Sequence, residues 1–113
     1  MEITRGAVVL AVAAGDYRKP RPAVVVQSEL FNPTHASIVV CPITSFLIEA
    51  PLFRIALAPS EANGLETESQ VMIDKLMALK RERIRRAVGR LSAKEMGEVQ
   101  QALRLWLGLD TRL

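Results

Sequence analysis

The chain reads Arg21-Pro22-Ala23-Val24-Val25-Val26 where a rigid turn passes directly into an apolar strand. Prolines at 20 and 22 fix two backbone φ angles and push the residues before them toward extended geometry, so Arg21 leaves the turn with little freedom. The valines that follow favour a buried strand, which holds the turn against the core. A guanidinium aimed in this way suits a phosphate, because its planar fork matches two phosphate oxygens, although an arginine beside proline is also often a solvated charge.

The length and composition of the chain predict a single domain over residues 1–113 with an aliphatic core. A domain of 113 residues buries roughly two-thirds of its unfolded surface, so it needs no metal or disulfide to fold. Hydrophobic residues make up 50% of the chain and aromatic ones only 4%, so aliphatic side chains must fill the core. The lone Cys41 lacks the spaced partners of a zinc site, and we expect it to be a core residue; no metal or other cofactor is expected.

From the sequence we expect neither a membrane span nor a secretory leader. Its main apolar run, residues 7–14, is far shorter than the roughly 20 apolar residues that cross a bilayer. The flank of this run carries Glu2 as well as Arg5, so it lacks the net positive charge of a signal peptide. We therefore expect a cytoplasmic protein that does not bind membranes.

Positive charge is concentrated in one part of the chain. The net charge is +3, but residues 75–90 contain seven basic side chains and one acidic one. One-sided charge of this kind attracts polyanions, or acidic peptides, over a long range. A solvated connector without a binding role would have the same composition, so charge alone leaves both interpretations open.

Short apolar runs separated by turn signals predict a mainly β fold. Glycine, proline and asparagine mark the breaks between the runs. Several runs are apolar on both faces, which is typical of strands enclosed in a small barrel. The predicted strands are residues 6–12, 21–27, 37–43, 52–57 and 71–76, with a further short strand near 80–84.

The end of the chain changes to a helical period. Ser92-Ala93-Lys94-Glu95 has the form of a capping box, in which the serine and glutamate side chains bind free amides of the first helical turn. Apolar residues then recur at spacings of three and four, and Gly108 follows as a stop signal. The residues of this stripe, which we expect to pack on the sheet, are Met96, Val99, Leu103 and Trp106.

Two further segments carry groups that could act together with Arg21. The third predicted strand leads into Thr44 and Ser45, so a hydroxyl could turn toward the edge that carries Arg21, although Thr-Ser at a strand end is often only a turn cap. The segment from Gln70 to Asp74 places a carboxylate on the fifth predicted strand, just before the basic stretch. Hydroxyl and guanidinium together could bind a phosphate, whereas Asp74 taken alone is more often a structural acceptor.

Taken in order, these segments resemble the PemK/MazF family of toxin endoribonucleases. The resemblance runs nearly end to end and rests on an ordered set of short motifs. They are Arg5-Gly6, Arg21–Val26, Val40–Ser45, Gly64-Leu65, Ser69–Asp74 and Gly89–Ser92, the last leading into the helix. The resemblance implies an SH3-like small barrel with a C-terminal helix, usually a homodimer, that cuts single-stranded RNA without a metal ion and is bound by an antitoxin.

The resemblance also assigns roles to two residues. The family's catalytic arginine, which stands before Pro-Ala, falls on Arg21, and its hydroxyl after the third strand falls on Thr44. In the cleavage that the family implies, the ribose 2′-hydroxyl attacks the adjacent phosphate and leaves a 2′,3′-cyclic phosphate and a 5′-hydroxyl. We therefore expect Arg21 to neutralise the phosphorane and Thr44 to orient a phosphate oxygen.

Two carboxylates are candidates for the general base. Arginine stays protonated at any working pH, so it is a poor proton acceptor. Asp16 could replace the glutamate of a Gly-x-Glu-Gln segment that many family members carry before Arg-Pro and that this chain lacks. Asp74 could act instead, as an acid on that strand does in some relatives. His35 is the only histidine, but it follows an Asn-Pro turn and is the weaker candidate.

Residues near these positions are candidates for contact with RNA. The basic ones could follow the phosphate backbone, and the tyrosine offers a ring on which one base could stack. The others lie in the motifs that carry the resemblance. The full set is Tyr17, Arg18, Lys19, Ser45, Gln70 and Lys75.

The expected partner and two alternative functions follow from the same features. A basic face would suit an antitoxin with an acidic disordered tail, which would order over Arg21 as it binds. A CcdB-like toxin, which poisons DNA gyrase through its helix end, shares the barrel but needs neither Arg21 nor Thr44. A non-catalytic SH3-like module that binds an acidic peptide is a third interpretation, because family membership alone does not prove activity.

Overall fold

Seven strands, two 3-10 turns and one helix make up the part of the chain that the computed structural model describes, residues 2–13 and 19–109. The mainly β fold with a C-terminal helix is therefore confirmed. In chain order the elements are β1 (Ala7–Ala11), β2 (Arg21–Val25), β3 (Ser37–Thr44), β4 (Arg54–Leu57), β5 (Ser69–Met72), a 3-10 turn (Ile73–Lys75), β6 (Met77–Lys80), a second 3-10 turn (Arg81–Arg83), β7 (Ile84–Arg90) and α1 (Ala93–Trp106).

The strands form one antiparallel sheet around β3. One edge of β3 pairs with β2, while its other edge pairs with β6 over Ser37–Val40 and with β5 over its last two residues. The strand order is β4-β5-β3-β2-β1-β7, with β6 also beside β3. Among the described residues no ladder joins β4 to β7, so the expected small barrel is an open one.

Both faces of the sheet are buried, as the doubly apolar strands predict. Side chains alternate along a strand, so Val8 and Val9 of β1 point to opposite faces and enter different clusters. Val24 and Val25 of β2 divide in the same way. Burial of each such valine contributes about 1.5–3 kcal/mol, and this apolar packing fixes β2, the strand that begins at Arg21.

The fifth strand is shorter than predicted, and Asp74 lies outside it. The chain leaves β5 after Met72 and enters the first 3-10 turn, where the Leu76 N–H donates to the Ile73 carbonyl at 3.3 Å. A second bond, from the Ile73 N–H to the Phe53 carbonyl at 3.0 Å, ties this turn to the residue before β4. The carboxylate therefore stands on a turn between β5 and β6 rather than on a strand.

β7 is a strand that the apolar pattern does not predict. Its arginines and Gly89 interrupt any alternation, and most of its residues are exposed or half-buried. The strand stands at the end of the sheet order, and its pairing with β1 shifts register at two points. Charges and bulges on an edge strand oppose pairing with other molecules, which explains why an edge strand has this composition.

The C-terminal helix begins where the capping box predicts. The Glu95 N–H donates to Ser92 Oγ at 3.1 Å, and the Ser92 N–H donates to Glu95 Oε1 at 2.7 Å. Val99 of the predicted stripe is buried against the sheet. The expectation for Trp106 was wrong in part: its ring lies 5.5 Å from that of Phe53, but the side chain is 47% exposed because it stands in the last turn. No helix in the described ranges is long and apolar enough to span a bilayer.

Gly64→Ala is expected to lower the free energy of unfolding by at least about 2 kcal/mol. Gly64 has a φ of +71°, and a Cβ built on it would lie 2.3 Å from the Val88 carbonyl oxygen of β7. Gly97→Ala is the matched control, because a Cβ in α1 at that position meets nothing within 4 Å. It should stabilise the protein by up to about 1 kcal/mol. Chemical denaturation measures both, and equal stabilities would contradict the packing of the Gly64 turn on β7.

Candidate active site

A groove opens where β2 begins and β3 ends. Its volume is about 230 Å³. The charged residues that line it are all basic and exposed, and they are Lys19, Arg21 and Lys75. The other lining residues are apolar, namely Ala11, Ala13, Pro22, Ala23, Val40, Pro42, Met72, Met77 and Leu79. Such a surface can bind an anion through its cations and a flat apolar group through its walls.

The strand register brings Arg21 and Thr44 to the same end of the sheet, where β2 begins and β3 ends. The ladder between β2 and β3 reaches the pair Ala23↔Pro42, and both of these residues line the groove. Arg21 and Thr44 each lie two residues beyond that pair, where they begin and end their strands. Because residues two apart share a face, both side chains lie on the groove side, with Thr44 next to the lining residues rather than among them.

The Thr44 hydroxyl is held by the backbone that follows it. Its Oγ1 accepts a hydrogen bond from the Phe46 N–H at 3.0 Å. A hydroxyl has two lone pairs and one proton, so this bond leaves the proton available for donation. The turn cap and a binding role, which the sequence presents as alternatives, are therefore compatible in one side chain.

Gln70 and Ser45 lie beside Thr44. Gln70 is the partner of Thr44 in the ladder between β3 and β5. Its Nε2 donates to the Ile48 carbonyl at 2.8 Å, and its Oε1 accepts from the Ile48 N–H at 3.2 Å. Ser45 is exposed at the start of the following segment. The structure thus groups these candidates, with the Gln70 amide already engaged by the backbone.

Asp74 is engaged by an arginine that the sequence analysis did not identify. Arg54 Nε donates to Oδ1 at 2.9 Å and Nη2 donates to Oδ2 at 3.2 Å, with the two side chains only 9% and 18% exposed. The hydrogen bond from Arg54 lowers the pKa of Asp74, and it outweighs the opposing effect of partial burial. Both oxygens are therefore occupied, and the carboxylate is a weak proton acceptor.

The remaining candidates divide by position. Lys19 and Lys75 both line the groove. His35 is exposed and precedes the first residue of β3, whereas Thr44 is the last, so the length of that strand separates them. The candidates Asp16, Tyr17 and Arg18 lie outside the described residues.

Part of the basic stretch serves the fold. The Arg81 guanidinium donates to the backbone carbonyls of His35, at 2.9 Å, and of Asn32. Arg90 donates to Thr4 Oγ1 at 3.0 Å and to the Arg5 carbonyl at 2.9 Å. The charge in this stretch therefore has a structural use at two positions.

Cys41 is a core residue, as expected. It is buried in β3, and burial raises the pKa of its thiol to about 12, so it stays protonated at neutral pH. Within residues 2–13 and 19–109, no group of three or more His, Cys, Asp or Glu side chains could hold a metal ion.

Three residues that shape the site were missed from sequence. Met72 and Met77 form part of the apolar wall. Strand alternation from Gln70 could have identified Met72, since residues two apart on a strand share a face. Arg54 stands 20 residues before Asp74, and no local spacing signals that pairing.

Comparison with known proteins gives a consistent result. A family model described as PemK-like, MazF-like toxin of type II toxin-antitoxin system matches residues 4–107. A relative described as a probable endoribonuclease MazF, from Mycolicibacterium smegmatis, is 41% identical over 106 residues, which cover 93% of this chain and 96% of the relative. The resemblance drawn from short motifs is thereby confirmed.

Solved structures show the same fold. The Mycobacterium tuberculosis toxin MazF-mt6 has a TM-score of 0.79 at 22% identity, covering 92% of this chain and 98% of that one. A MazE-MazF structure from Deinococcus radiodurans has a TM-score of 0.75 at 27% identity, covering 94% of this chain and 97% of that one. This chain therefore shares its fold with these structures.

Asp74→Asn is expected to reduce the acid sensitivity of folding. Because the pKa of Asp74 is lowered in the folded state, its charge stabilises the fold above the ordinary carboxyl pKa of about 3.9, and this stabilisation is lost as pH falls through the folded value. The free energy of unfolding, measured in urea, should therefore decline less steeply below about pH 4 in the variant than in the wild type. Arg54→Met should flatten the curve in the same window. Parallel curves for all three proteins would contradict the role of the pair.

Proposed function

Because this chain belongs to the PemK-like, MazF-like toxins of type II toxin-antitoxin systems, we propose that it is an endoribonuclease toxin that cleaves single-stranded RNA without a metal ion. Its relatives carry the name endoribonuclease. The observation that carries the proposal is that Arg21 and Thr44 lie at the same end and on the same face of the sheet, beside a basic groove. Cleavage of cellular RNA would stop translation and growth.

In the proposed reaction, the RNA supplies its own nucleophile. The ribose 2′-hydroxyl gives its proton to a base while its oxygen bonds to the adjacent phosphorus, the bond to the 5′-oxygen breaks, and that oxygen takes up a proton. The products are a 2′,3′-cyclic phosphate and a 5′-hydroxyl. The Arg21 guanidinium stabilises the negative charge that builds on the phosphorane, and the Thr44 hydroxyl donates to a non-bridging oxygen.

The base is proposed to be Asp16 rather than Asp74. Both oxygens of Asp74 accept bonds from Arg54, and its lowered pKa weakens it further as a proton acceptor. Asp16 precedes Lys19 by three positions in the chain, and Lys19 lines the groove. Asp16 is therefore the carboxylate nearest in sequence to Lys19 and Arg21 of the groove.

The RNA backbone is proposed to follow the basic groove. Lys19 and Lys75 stand with Arg21 around its apolar wall, which supports phosphate contacts at several successive nucleotides. Ser45 offers a further donor beside Thr44. We propose that Tyr17 stacks on a base and that Arg18 contacts a phosphate. Such a substrate is met in the cytoplasm, which is where we propose that the protein acts.

The antitoxin is proposed to cover the same groove. One of the solved relatives is described as MazE-MazF, and another as an endoribonuclease in complex with its cognate antitoxin. A disordered acidic tail would find complementary charge at Lys19, Arg21 and Lys75 and would order as it binds. The active form is proposed to be a homodimer, as the family implies.

Arg21→Ala is expected to slow RNA cleavage by about 10²–10³-fold, the usual cost of losing one preorganised donor to the transition state. The assay is cleavage of a mixed-sequence single-stranded RNA in EDTA, with mapping of the new ends. Arg104→Ala is the matched control, since it removes the same charge from an exposed position on α1. Its rate should equal that of the wild type.

Three results would count against this function. Near-wild-type cleavage by Arg21→Ala would remove its central role, and new ends other than a cyclic phosphate and a 5′-hydroxyl would overturn the reaction. Intact RNA after incubation with the wild-type protein in EDTA would favour the gyrase-poisoning or peptide-binding alternatives.

Lys75→Gln is expected to weaken RNA binding at all sequences and to reduce the salt dependence of affinity by about one unit of slope, as loss of one phosphate contact does. Affinity for a 2′-O-methyl RNA, which lacks the attacking hydroxyl, is measured over a range of salt concentrations. Lys94→Gln on the first turn of α1 is the matched control and should keep the wild-type slope. Equal slopes for both variants would exclude Lys75 from the phosphate path.

A further inference from the structure

The side chain of Gln70 binds the backbone of Ile48 with both ends of its amide. Nε2 donates to the Ile48 carbonyl at 2.8 Å, and Oε1 accepts from the Ile48 N–H at 3.2 Å. The amide thereby takes the place that a neighbouring strand would have, on a segment 22 residues earlier in the chain. Two bonds of this kind fix both the position and the direction of the Ile48 backbone.

The segment that Gln70 binds has little burial to hold it in place. Phe46 and Leu47 are 76% and 51% exposed, so apolar burial contributes little to their position, and Ile48, at 37%, is only partly covered. Among the residues described by the structure, the side chains that accept bonds from its backbone N–H groups are Thr44 and Gln70. The segment is therefore held by hydrogen bonds at its two ends.

We propose that Gln70 is a positioning residue that orients the Thr44 hydroxyl through residues 46–48, an inference that rests on the proposed function of Thr44. The Phe46 N–H binds Thr44 Oγ1 at 3.0 Å and selects one rotamer of that side chain. If Ile48 is released, Phe46 moves with it and the hydroxyl can rotate away from the phosphate. The rate then falls while RNA binding is unchanged.

The ladder between β3 and β5 supports this coupling. Thr44 and Gln70 are direct partners in it, so the base of each side chain is fixed relative to the other. The loop from Thr44 to Ile48 therefore starts and finishes on the same pair of residues. A change at Gln70 is therefore transmitted to the Thr44 hydroxyl through only a few residues.

Gln27 offers a matched control elsewhere in the same sheet. Its Nε2 donates to the Ser37 carbonyl at 3.1 Å, and its Oε1 accepts from the Val39 N–H at 3.0 Å. Like Gln70, this amide donates one bond to the backbone and accepts one, although to two residues rather than one, and it lies at the start of β3, at the far end from Thr44. Gln27→Met therefore removes equivalent bonds without affecting the site.

Gln70→Met is expected to lower kcat for RNA cleavage about tenfold with little change in KM, as small misplacements of catalytic groups do. In the Thr44→Val background the same change should have no further effect, because the group that it positions is gone. Amide hydrogen exchange should be faster at both Ile48 and Phe46 in Gln70→Met. Gln27→Met should keep the wild-type kcat. Gln70→Asn, which is too short to reach Ile48, gives the same test if the methionine variant does not fold.

Four outcomes would overturn this inference. They are an unchanged kcat in Gln70→Met, a raised KM that persists in Thr44→Val and so indicates direct RNA contact, an unchanged exchange rate at Phe46, and an equal loss of kcat in Gln27→Met. Failure of the proposed function is recognised separately, because Thr44→Val would then cleave RNA at the wild-type rate or the wild type would not cleave it at all. The exchange measurement reports on the coupling in either case.

Discussion

A strand has only two edges, and β3 shares them among three partners. β2 holds one edge, while the other is held by β6 up to the pair Val40↔Met77 and by β5 from the pair Ile43↔Val71 onward. Between those two pairs β5 and β6 separate from each other along this edge of β3. The groove lies at this point, since Val40, Pro42 and Met77 all line it. The candidate site therefore follows from a change of pairing along a single strand.

The turn that follows β5 places the Asp74 carboxylate in a structural ion pair and the neighbouring Lys75 at the groove. Residues 73–75 connect β5 to β6 across the parting, with Ile73 buried in the core. Arg54 fixes Asp74 on the side of β4, and Lys75 then faces the groove. An ion pair at 9% and 18% exposure is costly to break by removing one partner, so the turn has a well-defined position. The ion pair between Arg54 and Asp74 therefore also holds the neighbouring Lys75 in place at the groove.

Local rules predicted much of the fold. Consecutive valines on β1 and β2 predicted a sheet that is buried on both faces, and the capping box at Ser92 predicted the start of the helix. Both signals could be read from the sequence because they depend only on residues close together in the chain. β7 escaped prediction because an edge strand tolerates arginine and bulges. Arg54 and the Ile48 contact of Gln70 escaped because both join residues 20 or more positions apart.

The buried thiol of Cys41 has a practical consequence for work on this protein. It lies at zero exposure in the middle of β3 and, with its pKa raised to about 12, offers almost no thiolate to an alkylating or oxidising reagent. A cysteine introduced at an exposed position would be the reactive one, so a fluorophore or spin label could be attached there without first removing the native thiol.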